Sequence, residues 1–133
     1  SSEKKAPEIT QDAPSAVFDA TPVDEMMSLL GSGATTEVAN SLGLEGAENM
    51  GALKTAVSAG DAAVAEREAH TLASSCLSLG LESAGHLLRQ VEAGIRQGHL
   101  PAEATVIRAE TLFHDGLDRL KSHLLNAASE GDA

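Results

Sequence analysis

His70 is the residue whose type and placement could do chemistry. It lies in EAHTLASSCLSLGLESA, residues 68–84, where Ala65, Ala69, Leu72, Cys76 and Leu79 recur at helical spacing. At about 100° per residue those five positions form one stripe that must face a core, and His70 sits roughly 140° from its centre. The imidazole is therefore expected to face solvent. Glu66 and Arg67 lie one turn before it, Ala73 and Ser74 one turn after, and Leu77 two turns after. Small residues there leave a partner room to approach, and an outward Leu77 would offer it an apolar foothold. A neutral imidazole nitrogen is a nucleophile, and an exposed histidine is ordinarily mostly neutral at pH 7. In-line phosphoryl transfer asks little more of such a residue than to be presented in the right place.

Other chemistries fit less well. Glu66/His70, Glu82/His86 and Glu110/His114 share a Glu-x-x-x-His spacing, but di-metal sites in helix bundles use Glu-x-x-His with the ligands aimed inward, so no metal ligand set is expected. Ser74 and Ser75 lack a nucleophile elbow or an oxyanion turn, which excludes a Ser-His hydrolase. Cys76 falls in the core stripe without cationic neighbours and reads as an inert small hydrophobe. His86, His99, His114 and His123 read as exposed or boundary residues, and Asp115 with Asp118 as a solvated helix face. No Gly-rich nucleotide loop is present, so the chain is not expected to carry out ATP chemistry.

The elements that must position His70 are helices. Among 133 residues there are two Phe, no Trp and no Tyr, so the core must be built from Leu, Val, Ile, Met and Ala, shapes that suit packed helices. A tail is expected over residues 1–16, a helical bundle over 17–126, and a frayed acidic end over 127–133. A short helix begins near Thr21, with Thr21 as N-cap, Pro22 in the first turn, and Gly31 or Gly33 as its stop; Met26, Met27, Leu29 and Leu30 read as core. The next helix runs from Thr36 to about Ala59 and must lean on tertiary packing or break near Gly43 to Gly46. Asp61 caps the His70 helix, which Gly80 closes. A fourth helix covers Ser83 to Gln97, with Ala84, Leu88, Val91 and Ile95 on one face. A last one starts at Pro101 and carries Val106, Phe113, Leu117, Leu120 and Leu124. Short connections make this an all-α, antiparallel, up-and-down four-helix bundle with a short additional N-terminal helix.

The net charge of −11, with nine Lys and Arg spread along the chain, argues against nucleic acid as a partner. No apolar run of membrane-spanning length and no secretion-signal pattern occurs, so no membrane contact and a cytoplasmic location are expected. The single cysteine agrees with a reducing compartment. One core closing on itself predicts a monomer.

The order small-His-Thr-Leu, small residues, then Leu-Gly in AHTLASSCLSLG resembles the signature helix of histidine-containing phosphotransfer (Hpt) domains. AGD at 59–61 and LLRQVEAGIRQG at 87–98 are similar to the segments that flank it in that family. The resemblance covers about residues 20–125. It implies that His70 accepts a phosphoryl group from the receiver-domain aspartate of a response regulator and passes it to another. It also implies no cofactor on this chain, Mg²⁺ supplied by the partner receiver, and an origin in a hybrid sensor kinase. Where the family usually has Lys-Gly, this chain has Ala73-Ser74, so charge for the phosphoryl oxygens is expected from Arg67 or Arg89. Arg67, Ala73, Ser74, Leu77 and Arg89 are the expected contact residues. The competing reading is a helical interaction module that docks a partner through Leu77 without phosphotransfer.

Overall fold

The computed structural model describes residues 16–131, and among them every regular element is a helix. The helices are α1 (Thr21–Ala59), α2 (Ala62–Ser78), α3 (Glu82–Arg96) and α4 (Glu103–Gly131). Each packs on two others, α1 against α2 and α4, and α3 against α2 and α4, so the four enclose one core. Its largest fully buried side chains include Phe113, Met50, Leu53, Leu72, Leu88 and Leu120, drawn from all four helices.

The α2 stripe is buried as its spacing predicts: Ala65, Ala69, Leu72, Cys76 and Leu79 are all shielded from solvent. Asp61 caps α2, its side chain accepting a hydrogen bond from the Val64 amide at 3.2 Å. Burial pushes the Cys76 thiol up to about 12, which leaves it a protonated, unreactive core group.

Helix ends differ from the sequence reading by one residue at Thr21 and by five at the end of α4. Thr21 is the first helical residue of α1 rather than its cap, and the Asp19 carboxylate accepts from the Thr21 amide instead. That backbone hydrogen bond holds the Asp19 carboxyl below its usual range. At Gly31 the backbone leaves helical geometry, with φ 88° and ψ 163°, so α1 is kinked there. Leu29 and Leu30, read as core, are exposed, while Met26 and Met27 pack against it; the core lies on the other side of that first segment. α4 reaches Gly131, beyond the expected start of the frayed end at 127. The tail over residues 1–15 and the last two residues lie outside the described part.

α1 does not break at Gly43 to Gly46; it leans on packing. Gly46 is buried against Phe113, and a Cβ there would come 2.6 Å from the Phe113 ring. Between α2 and α3 there is a second close approach. The carbonyl of Gly80 accepts from the Asp19 amide at 2.8 Å, and the Ser83 amide donates to the Ala16 carbonyl at 2.9 Å. Gly80 takes φ 86° there, and a Cβ would fall on the Asp19 carbonyl. Residues 16–19 are thereby strapped over the α2–α3 turn.

Gly46 and Gly51 make opposite predictions from one substitution. Gly46→Ala gains about 1 kcal/mol of helix propensity but meets a fully buried ring, so the net is a loss of about 1–3 kcal/mol. Gly51→Ala meets nothing within 4 Å and is expected to stabilise by about 0.5–1 kcal/mol. Urea denaturation of the two variants against wild type measures both signs.

Candidate functional site

α2 and α3 meet along a ladder of polar side chains. From α2 come Glu66, His70 and Ser74, spaced four residues apart on one face; from α3 come Arg96, Glu92 and Arg89. Arg96 Nε donates to Glu66 Oε2 at 2.7 Å, His70 Nδ1 lies 2.7 Å from Glu92 Oε2, and Arg89 Nη2 donates to Ser74 Oγ at 2.9 Å. The rungs are tied to each other through Glu92. Arg96 Nη2 donates to its Oε2 at 2.6 Å and Arg89 Nη1 to its Oε1 at 3.1 Å.

Glu92 is the centre of the site, with 4% of its side chain exposed. Burial alone would push its carboxyl up, but hydrogen bonds from His70 and Arg89, with the charge of Arg96 beside it, outweigh that and hold it below the ordinary value. The same arrangement raises Arg96, chiefly through its hydrogen bond to Glu66. Glu92 is therefore a carboxylate, which can only accept, so the Nδ1 of His70 must donate. For the neutral ring this network assigns the tautomer, with the proton on Nδ1 and the lone pair on Nε2. The ring's side chain is 55% exposed. The arrangement buries the protonated edge against Glu92 and offers a fixed nucleophilic nitrogen on the other.

Arg89 Nη1 also lies 3.2 Å from His70 Nδ1. That contact cannot be a second hydrogen bond, since both atoms are donors once the Nδ1 proton points to Glu92.

Of the expected contact residues, the structure brings Ser74 and Arg89 to His70 and separates the rest. Ala73 is fully buried, because α2 packs against both α1 and α3 and its shielded arc is wider than one stripe. Leu77 is half-buried rather than outward: a Cβ on Gly85 would come 2.5 Å from its Cγ and Cδ2, so it lies flat on α3. Arg67 is exposed and sits beside Glu68 at 3.8 Å, and Glu68 in turn accepts from Asn49 of α1 at 2.8 Å. Sequence reasoning missed Glu92 and Arg96. The signal was a carboxylate four residues after Leu88 and three before Ile95, on the edge of the apolar face of α3.

Among the described residues no group of three or more His, Cys, Asp or Glu is arranged to hold a metal ion, and no helix is long and apolar enough to cross a membrane.

The lowered carboxyl of Glu92 fixes the sign of a pH effect. Its folded value lies below its unfolded value of about 4.5, so the unfolded chain binds the proton first. The stabilisation is complete above about 4.5 and is lost as pH falls through the folded value. Stability profiles of wild type and Glu92→Gln between pH 7 and 3 are expected to converge toward acid, with wild type losing more than the variant.

No curated protein and no solved structure matches the chain. A family model described as the Hpt domain matches residues 37–123, a span that holds all of α2 and α3 and every rung of the ladder. The match covers more than half of the 133 residues, and the chain belongs to the Hpt domain family.

Proposed function

We propose that His70 is the phosphoacceptor of a phosphorelay, taking a phosphoryl group from the aspartyl phosphate of one response-regulator receiver domain and giving it to another. Membership of the Hpt family implies histidine phosphotransfer in phosphorelays and makes the domain a phosphocarrier rather than an enzyme. The observation that carries the assignment to His70 is the 2.7 Å contact between its Nδ1 and the Glu92 carboxylate, which supports Nε2 as the attacking atom.

In the forward step the Nε2 lone pair forms a P–N bond while the P–O bond to the aspartate breaks, its electron pair returning to the carboxylate. Nδ1 keeps its proton, so the ring becomes a cation when Nε2 is phosphorylated. Glu92 is already in place to balance that charge. In the return step the ring leaves as a neutral imidazole with the same proton still on Nδ1. No proton has to move in either direction. Mg²⁺ in the receiver's acidic pocket would stabilise the charge on the transferring group from the partner's side. The same reading takes the bundle as antiparallel and up-and-down, with residues 21–30 as its short additional N-terminal helix.

Incubation with a phosphorylated receiver and Mg²⁺ is expected to give an acid-labile, alkali-stable label on wild type and none on His70→Gln. A label that survives in that variant would place the acceptor elsewhere. Glu92→Gln keeps an acceptor near Nδ1 but loses the charge, a difference of about 1.5 kcal/mol for a charge-assisted hydrogen bond. The transfer rate to His70, measured by rapid quench, should then fall by roughly tenfold.

A further inference from the structure

We infer that Arg89 is the cation that binds the phosphoryl group once His70 carries one, and that Ser74 is the positioning residue that aims it. The inference rests on the phosphoacceptor reading of His70.

Three arginines lie close enough to be considered, and the structure separates them. Arg96 is held by two carboxylates, its Nε on Glu66 and its Nη2 on Glu92, whereas Arg89 is held by one carboxylate and a neutral hydroxyl. Arg67 is 68% exposed beside Glu68, one turn before the imidazole. Of the three, Arg89 has a guanidinium nitrogen in contact with the ring, at 3.2 Å from Nδ1.

The donor count makes that contact informative. A guanidinium has five N–H groups and no acceptor. Arg89 uses Nη1 on Glu92 Oε1 and Nη2 on Ser74 Oγ. The side of Nη1 that faces the imidazole meets another donor, so a charged donor is held against the ring with nothing there to receive it. A phosphoryl group on Nε2, at the edge of the ring away from this contact, supplies three anionic oxygens that Nη1 reaches by turning away from Nδ1. The Arg89 side chain is 39% exposed, so a rotation about its Ser74 anchor is not blocked by core packing.

Ser74 explains why the charge can come from α3. Ala73 is fully buried and offers no cation from α2. The Ser74 hydroxyl, four residues after His70 on the same face, fixes Nη2 and turns the guanidinium toward the imidazole. A glycine at 74 would have no group to do this. The two residues that stand in place of Lys-Gly are thus coupled: the charge has moved to the neighbouring helix, and the residue after the lost lysine now orients it.

The phosphoryl group itself reports on the cation. Wild type and variants are phosphorylated with phosphoramidate, whose P–N bond breaks with its electron pair leaving on ammonia as the P–Nε2 bond forms. The ³¹P resonance is then followed from pH 5.5 to 9. A cation on the phosphoryl oxygens favours their dianion, so Arg89→Gln is expected to raise the titration midpoint of the phosphoryl group by at least about half a unit. Arg89→Lys should return most of that shift, Ser74→Ala should fall between, and Arg67→Gln should move it less than Ser74→Ala. Arg108→Gln on α4 serves as the remote control. Glu66, Glu92 and Arg96 also face the ring from α2 and α3, and because Arg89 bonds Glu92 the Arg89→Gln shift is measured again in a Glu92→Gln background, where it is expected to persist.

A purely structural role would change melting or helicity without moving the midpoint. An Arg89→Gln midpoint within 0.2 unit of wild type, or an Arg67→Gln shift as large as that of Arg89→Gln, would overturn the inference and leave the phosphoacceptor reading standing. A wild type with no ³¹P resonance that depends on His70 overturns both. If Arg89→Gln does not fold, Ser74→Ala decides the matter, since a Ser74→Ala midpoint equal to that of wild type would also overturn it.

Discussion

A carboxylate with 4% of its side chain exposed is the constraint around which the site is organised. Removing an ionised carboxylate from water costs several kcal/mol unless hydrogen bonds and opposite charge replace its hydration. Glu92 receives donors on both oxygens, from Arg89 on one and from His70 and Arg96 on the other. Taking away any of the three leaves buried negative charge partly unmatched. The imidazole is therefore held because Glu92 needs it, as much as Glu92 is held for the imidazole's sake. An imidazole whose own environment demands one orientation is pre-organised.

The ladder works only if α2 and α3 come close, and small residues make that distance. Ala65, Ala69 and Ala73 on α2 and Ala84 and Gly85 on α3 are buried, which lets side chains of ordinary length bridge the helices at 2.7 to 2.9 Å. Leu77 lying over Gly85 fills the space that a larger residue at 85 would claim. The alanines that look like helix filler in the sequence thus set the spacing on which the His70–Glu92 contact depends.

Helical period was enough to find the outward side of α2. The buried positions Ala65, Ala69, Leu72, Cys76 and Leu79 follow it, as do the caps at Asp61 and the turns at Gly60, Gly80 and Gly98, which all have positive φ. Ala73 and Leu77 escaped because a single stripe assumes one neighbouring helix, whereas α2 has α1 on one side and α3 on the other. Glu92 escaped for a different reason. A glutamate at the edge of an apolar face reads as a solvated residue until its donors are known, and those donors come from a helix 22 residues away for His70. Pairing across helices is tertiary information that a period along one helix does not contain.

The same local arrangement resolves an apparent conflict in charge. A chain of net charge −11 would be expected to repel an acidic receiver surface, yet Arg67, Arg89 and Arg96 all lie on α2 and α3 around His70. Glu66 and Glu92 each hold an arginine, so the two acids and the two arginines of the ladder sum to zero around the imidazole. Interactions between exposed charges are largely screened beyond about 8–10 Å at physiological salt. The surface around His70 is therefore governed by a ladder whose charges balance, flanked by the Arg67–Glu68 pair, rather than by the net charge of the whole molecule.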